Sequence, residues 1–169
     1  MSKYETHYYR NGDLDIRMSE WDCDLSQRHR EWGPELFCND LDCILAQKSL
    51  CECQGMVMIE SYNHRAYGLI EYKHEAGMEY MERYRFQWRV FAGMADQCEI
   101  PAFCCFYRRK DYAMFVIPLN EHAKEWVEEP KWMSERYWVQ HLYAFRDLEP
   151  SPETLALLNT TRPKNIKAA

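Results

Sequence analysis

The sequence predicts an α/β (α+β) domain: a central mixed sheet of about five strands flanked by helices. Three observations carry this. Short runs rich in β-branched, aromatic and other apolar residues recur along the chain, at 56–62, 66–72, 101–107 and 112–119. Between and around them lie segments whose apolar positions repeat at spacings of 3 and 4, the period of an amphipathic helix. The order is helix, three strands, helix, two strands, helices, which excludes a pure bundle and a pure β-sandwich.

The elements follow in chain order. Residues 1–18 are polar and aromatic, with a turn signal at Asn11-Gly12. Ser19 to Trp32 reads as a helix that Gly33-Pro34 stops. Asp40 to Leu45 is a short strand, and Ala46 to Gly55 a loop. Met56–Tyr62 and Ala66–Tyr72 form a hairpin around Asn63-His64-Arg65. Gly77 separates the second arm from a helix running from Met78 to about Gln97, with Met81, Tyr84, Trp88, Phe91 and Ala95 on its apolar side. Pro101 restarts the chain as the strand AFCCFY, residues 108–111 turn, and Tyr112 to Leu119 returns. Helices over about 121–128 and 133–147 complete a single domain, 1–150. Residues 151–169 are expected to be a mobile basic tail.

Composition narrows the function classes. A formal net charge of −6 argues against a protein that coats nucleic acid, which needs a basic excess, but leaves room for a local basic patch. No apolar run approaches the roughly 18 residues of a membrane span. The start, MSKYETHYYRNGD, lacks the apolar stretch of a secretory signal, so a cytoplasmic protein is expected. In that setting the 8 cysteines are reduced thiols. Cys38, Cys43, Cys51 and Cys53 are a looser group without paired CxxC spacing, a weak zinc signal. Cys–His catalysis has no supporting local spacing. P-loop, GxGxxG, GxSxG and HExxH motifs are missing from the sequence.

The stretch GLIEYKHEAG, Gly68 to Gly77, carries the chemistry. In an extended chain residues i and i+2 share a face, so Glu71 and Lys73 project together at the end of an apolar run. An acidic strand, Asn39-Asp40-Leu41-Asp42, lies upstream. Carboxylates on neighbouring strands can hold Mg²⁺, which prefers oxygen ligands. The metal lowers the pKa of a bound water, and a lysine supports charge developing on a phosphate. The bland alternative for Glu-x-Lys is an ion pair without further role.

Asp42, Glu71 and Lys73 resemble the signature of the PD-(D/E)xK, or restriction-endonuclease-like, nuclease superfamily. The runs LSQRHREWG, DLDCIL, GLIEYKHE, IPAFCCFYR and MFVIPLN are similar to small phage and prophage proteins of this type, over about residues 19–147. The resemblance implies a restriction-endonuclease-like sheet flanked by helices and Mg²⁺- or Mn²⁺-dependent hydrolysis of DNA phosphodiester bonds. In so small a domain the cutting is expected to be structure-selective or nonspecific, and a homodimer would cut two strands. Asp42 and Glu71 would bind metal and Lys73 would stabilise the attacked phosphate or the attacking water. The first acid follows Leu41 rather than a proline, so Asp40, then Glu60, and last Glu52 stand as alternatives to Asp42. Glu60 joins Glu71's face if the hairpin turn has four residues and leaves it if the turn has three. Glu75 and the helix residue Gln87 are auxiliary candidates. Arg28, His29 and Arg30 are candidate phosphate contacts, with Trp32 to stack on a base. Lys73→Ala is expected to spare folding and abolish cleavage. The alternative function is a catalytically inactive nuclease-fold protein that binds DNA or inhibits a host protein.

Overall fold

The computed structural model describes residues 7–8, 14–15, 25, 28–40 and 56–159. Its centre is a mixed sheet of six strands in the order β3-β4-β5-β6-β7-β8. The strands are β3 (Phe37–Asp40), β4 (Met56–Tyr62), β5 (Arg65–His74), β6 (Ala102–Tyr107), β7 (Met114–Pro118) and β8 (Lys131–Met133). Two short strands, β1 (His7–Tyr8) and β2 (Leu14–Asp15), pair separately. A helical segment at 28–31, α1, precedes β3. Helices α2 (Met81–Gln97), α3 (Glu121–Lys124), α4 (Glu135–Ala144) and α5 (Pro152–Asn159) follow.

Neighbouring strands are antiparallel except β5 and β6, which run parallel. A parallel pair needs a long crossover. Here the crossover is a 3-10 stretch, Glu75–Tyr80, that leads into α2. The His74 ring opens it by accepting a hydrogen bond from the Ala76 N–H at 3.2 Å. Glu99, in the left-handed region at φ 55°, turns the chain after α2. Asn120 then ties the crossover down. Its amide oxygen accepts from the N–H groups of Ala102 and Ala123, and its NH₂ donates to Asp96 and to the Ile100 carbonyl.

The sheet is covered on both faces. Every residue of β6, and residues 68–73 of β5, are buried, as expected for central strands sandwiched between layers. On one face Phe91 and Ala95 of α2 pack on Val57, Leu69 and Ala102. On the other lies the larger core, where Trp32, Trp138, Leu142 and Tyr143 meet Met58, Ile70, Tyr72, Phe103 and Cys105. Gly33, at φ 137°, is where α1 breaks. A side chain there would fall 1.9 Å from the Tyr143 hydroxyl, which donates to the Trp32 carbonyl, so glycine is required twice over.

Several elements differ from the sequence reading. The first strand of the sheet lies at Phe37–Asp40 rather than 40–45. The three residues of β8 extend the sheet to six strands; so short an edge strand carries no periodicity to read. The helix expected over 121–128 ends at Lys124. Within the segment expected to be a tail, α5 forms, with Thr154 buried and Leu158 against the larger core.

The β4–β5 hairpin decides what the site contains. Its turn has two residues, Asn63 and His64, both at positive φ (46° and 65°), the geometry that matches strand twist. Arg65 already belongs to β5, paired with Tyr62. An unbroken ladder from there would place Glu60 opposite Tyr67, on Glu71's side. A bulge between Glu60 and Ser61 shifts the register, so Glu60 pairs with Gly68 and Val57 with Glu71. One extra residue sends Glu60 to the opposite face.

Candidate functional site

Alternation along β5 puts Leu69, Glu71 and Lys73 toward α2, and Gly68, Ile70 and Tyr72 toward α1 and α4. Lys73 Nζ lies 2.7 Å from Glu71 Oε1. From α2, Gln87 Nε2 donates to the same oxygen at 2.9 Å and Trp88 Nε1 donates to Oε2 at 2.9 Å. The Lys73 ammonium sits 4.2 Å from the centre of the Tyr84 ring, a cation–π contact. Tyr84, Trp88 and Phe106 pack on one another around the pair. Glu71 and Lys73 are 0% and 1% exposed. Beside them burial, and then the Glu71 charge, push the Cys104 thiol well above its usual range, so it stays protonated.

A carboxylate offers about four lone-pair sites. Lys73 and Gln87 occupy Oε1 and Trp88 donates to Oε2. With the carboxylate fully buried, a divalent ion would have to displace one of these donors and would need further oxygens. The residue in register with Glu71 on β4 is Val57, so β4 brings none there. Among the described residues no group of three or more His, Cys, Asp or Glu is poised to hold a metal.

The other expected site residues fall as follows. Asp42 and Glu52 lie outside the described residues. Asp40 is in β3, in register with Met58, and Met58 with Ile70, a row that alternates with that of Glu71. Glu60 does not join Glu71, because of the bulge. Glu75 begins the 3-10 stretch just past the strand and is half-buried, with its charge felt by His74 and Arg108. Gln87 reaches Glu71 directly. Of the basic trio, Arg30 is at the surface. Arg28 is buried, bonded to Glu135 and Glu31, and Trp32 is buried with its indole N–H on Glu135 at 2.7 Å. Cys43, Cys51 and Cys53 of the zinc group lie outside the described residues, and Cys38 Sγ is 3.7 Å from His29 Nδ1.

The second charged cluster, on the opposite face, is one the sequence reading missed. His29 Nε2 meets Glu60 Oε1 at 2.8 Å. Arg146 Nη2 donates to Glu60 Oε2 at 2.7 Å, and the Tyr72 hydroxyl lies 3.4 Å from Oε1. The other imidazole nitrogen, Nδ1, is 3.7 Å from Cys38 Sγ. His29, Glu60 and Arg146 are all buried. Burial alone would lower the His29 pKa, but the Glu60 carboxylate and Cys38 outweigh it and push it up to about 10. Burial works against the Glu60 charge too, and His29 and Arg146 overcome it, holding that carboxyl below its usual range. One signal was available: a glutamate in the middle of the apolar run MVMIESY needs a partner if it is buried.

No helix among the described residues is long and apolar enough to cross a membrane. No family model matches this chain, and neither does any curated protein or solved structure.

Proposed function

We propose that the chain is a small metal-dependent nuclease that hydrolyses DNA phosphodiester bonds, with Glu71 and Lys73 as its working pair. The observation that supports this is the pair itself: a carboxylate and an amine on one face of a central strand, 2.7 Å apart, with Gln87 of the following helix on the same carboxylate. Glu71, with Asp42, would hold Mg²⁺ or Mn²⁺. The metal, when bound, supplies a water of lowered pKa and charge against the phosphate. Gln87 and Trp88 hold the Glu71 carboxylate in one orientation. Lys73 Nζ is the donor for a phosphate oxygen or the attacking water, and its contact with Glu71 keeps it aimed until then.

A second reading is favoured by burial. With both side chains sealed beneath α2 and their bonds mutually satisfied, the pair also suits a structural role in a protein that binds DNA or a host protein without cutting.

The deciding experiment incubates the protein with linear, nicked, branched and single-stranded DNA, with Mg²⁺ or Mn²⁺ and with EDTA, beside Glu71→Gln and Lys73→Gln. These amides keep a hydrogen-bonding group in the buried site. The nuclease reading expects metal-dependent cutting that either substitution abolishes while circular dichroism shows a folded chain. Cutting that survives both substitutions removes the pair from the reaction. A folded wild-type protein that cuts none of the four substrates leaves the binding reading, to be followed by gel shift and by affinity capture of partner proteins.

A further inference from the structure

We infer that Cys38 is a reactive thiol, with His29 as its proton partner and Glu60 as the group that orients the imidazole, and that its substrate class is small peroxides. Three side chains from three elements converge. Cys38 lies on β3, His29 on α1 and Glu60 on β4, and β3 and β4 are paired so that Cys38 stands directly opposite Glu60. The line of contacts runs Cys38 Sγ to His29 Nδ1 at 3.7 Å, then His29 Nε2 to Glu60 Oε1 at 2.8 Å. This is the nucleophile, base and orienting carboxylate arrangement that activates a thiol.

The surroundings lock it. Arg146 fixes the far oxygen of Glu60, and Trp32 packs on the imidazole with ring centres 4.8 Å apart. The imidazole cannot turn its Nδ1 away from the sulfur without breaking the Glu60 contact. Cys38 itself is half-buried, whereas its partners are sealed in. A half-buried cysteine admits a two-oxygen molecule more readily than an acyl group with its flanking chain.

The step balances. The Cys38 thiolate attacks one peroxide oxygen, so an S–O bond forms and the O–O bond breaks. The leaving oxygen takes the proton from His29 Nδ1 and departs as water or, from an alkyl peroxide, as an alcohol. Sulfur is oxidised by two electrons to the sulfenic acid and the peroxide is reduced. This chemistry lies on the face of the sheet opposite Glu71 and Lys73 and does not depend on them.

The test uses the whole reduced protein and needs no variant at first. Hydrogen peroxide is added with dimedone, which traps sulfenic acids, and each cysteine peptide is followed by mass spectrometry. Cys98 is exposed and serves as the internal reference, while Cys104 and Cys105 are buried with thiols pushed well above their usual range. Cys38 is expected to be trapped about tenfold faster than Cys98, although it is the less exposed of the two. His29→Gln is expected to bring it down to the Cys98 rate, checked at a temperature where circular dichroism shows the variant folded. A wild-type Cys38 no faster than Cys98 overturns the inference. So does fast alkylation by iodoacetamide without peroxide trapping, which would reject peroxide as the substrate class.

Discussion

The two faces of the β4–β5 hairpin carry two buried charge clusters built on different plans. Beneath α2, Glu71 and Lys73 are near neighbours on one strand, and Gln87 and Trp88 come from the helix that follows. On the other face Glu60 gathers His29 from 31 positions before it and Arg146 from 86 positions after it. The first cluster closes within one strand–helix unit. The second exists only when three distant parts of the chain are assembled. Both bury charge, and a buried charge is tolerated only when its partners are in place. The first therefore holds one strand to one helix, while the second ties α1, the sheet and the C-terminal end of α4 together.

That contrast can be broken in a definite order. The largest effect is expected from Glu60→Ala, which strands the His29 and Arg146 cations in the core and should cost about 5 kcal/mol, read as a shift of the denaturant midpoint. Glu60→Gln should cost less, because the amide oxygen still accepts from Arg146.

Titration of the same cluster comes next. His29 has its pKa raised from 6.5 to about 10, so its stabilising contribution is complete below 6.5 and is lost as pH rises through about 10. Glu60 is shifted the opposite way. Its contribution is present above its ordinary value of 4.5 and is lost as pH falls through the lower, folded value. Urea midpoints should therefore fall steadily from pH 6.5 toward 10, and His29→Gln should flatten that limb. An equally steep alkaline limb in the variant would detach it from His29.

The smaller effect belongs to the local pair. Lys73→Ala removes one partner of a fully buried ion pair and should cost about 3 kcal/mol, since Gln87 and Trp88 still donate to Glu71. This revises the expectation that Lys73→Ala would spare folding, and it is why the amide substitutions suit the cleavage assay better. A double-mutant cycle with Glu71→Leu and Lys73→Met sharpens the point. The double variant should recover part of the loss, because two apolar side chains leave no stranded charge while the Trp88 indole N–H loses its acceptor.

The local cluster was legible because strand alternation is a property of adjacent residues. Glu71 and Lys73 share a face in any extended chain, and Gln87 sits on the amphipathic helix that Gly77 and the 3- and 4-residue spacing announce. The hairpin, the helix over 81–97 and the AFCCFY and MFVIP strands follow from the same short-range patterns. The second cluster was not legible, and His29 shows why. In sequence it stands between two arginines, which suggests a basic patch; in the structure Arg28 turns to Glu135 and His29 to Glu60, neither of them nearby in the chain. Glu60 was undecidable for a sharper reason: its face depends on a one-residue bulge next to the turn.

By itself, then, the sequence determined the alternation of strands and helices, the mixed sheet and the same-face placement of Glu71 and Lys73. These rest on periodicities of two to four residues and on the order of the elements those periodicities mark. The tertiary structure alone decided that the pair is sealed beneath α2, that Glu60 points away from it, and that Cys38, His29 and Glu60 meet. Register and long-range packing depend on which segments lie against each other, and no local spacing encodes that.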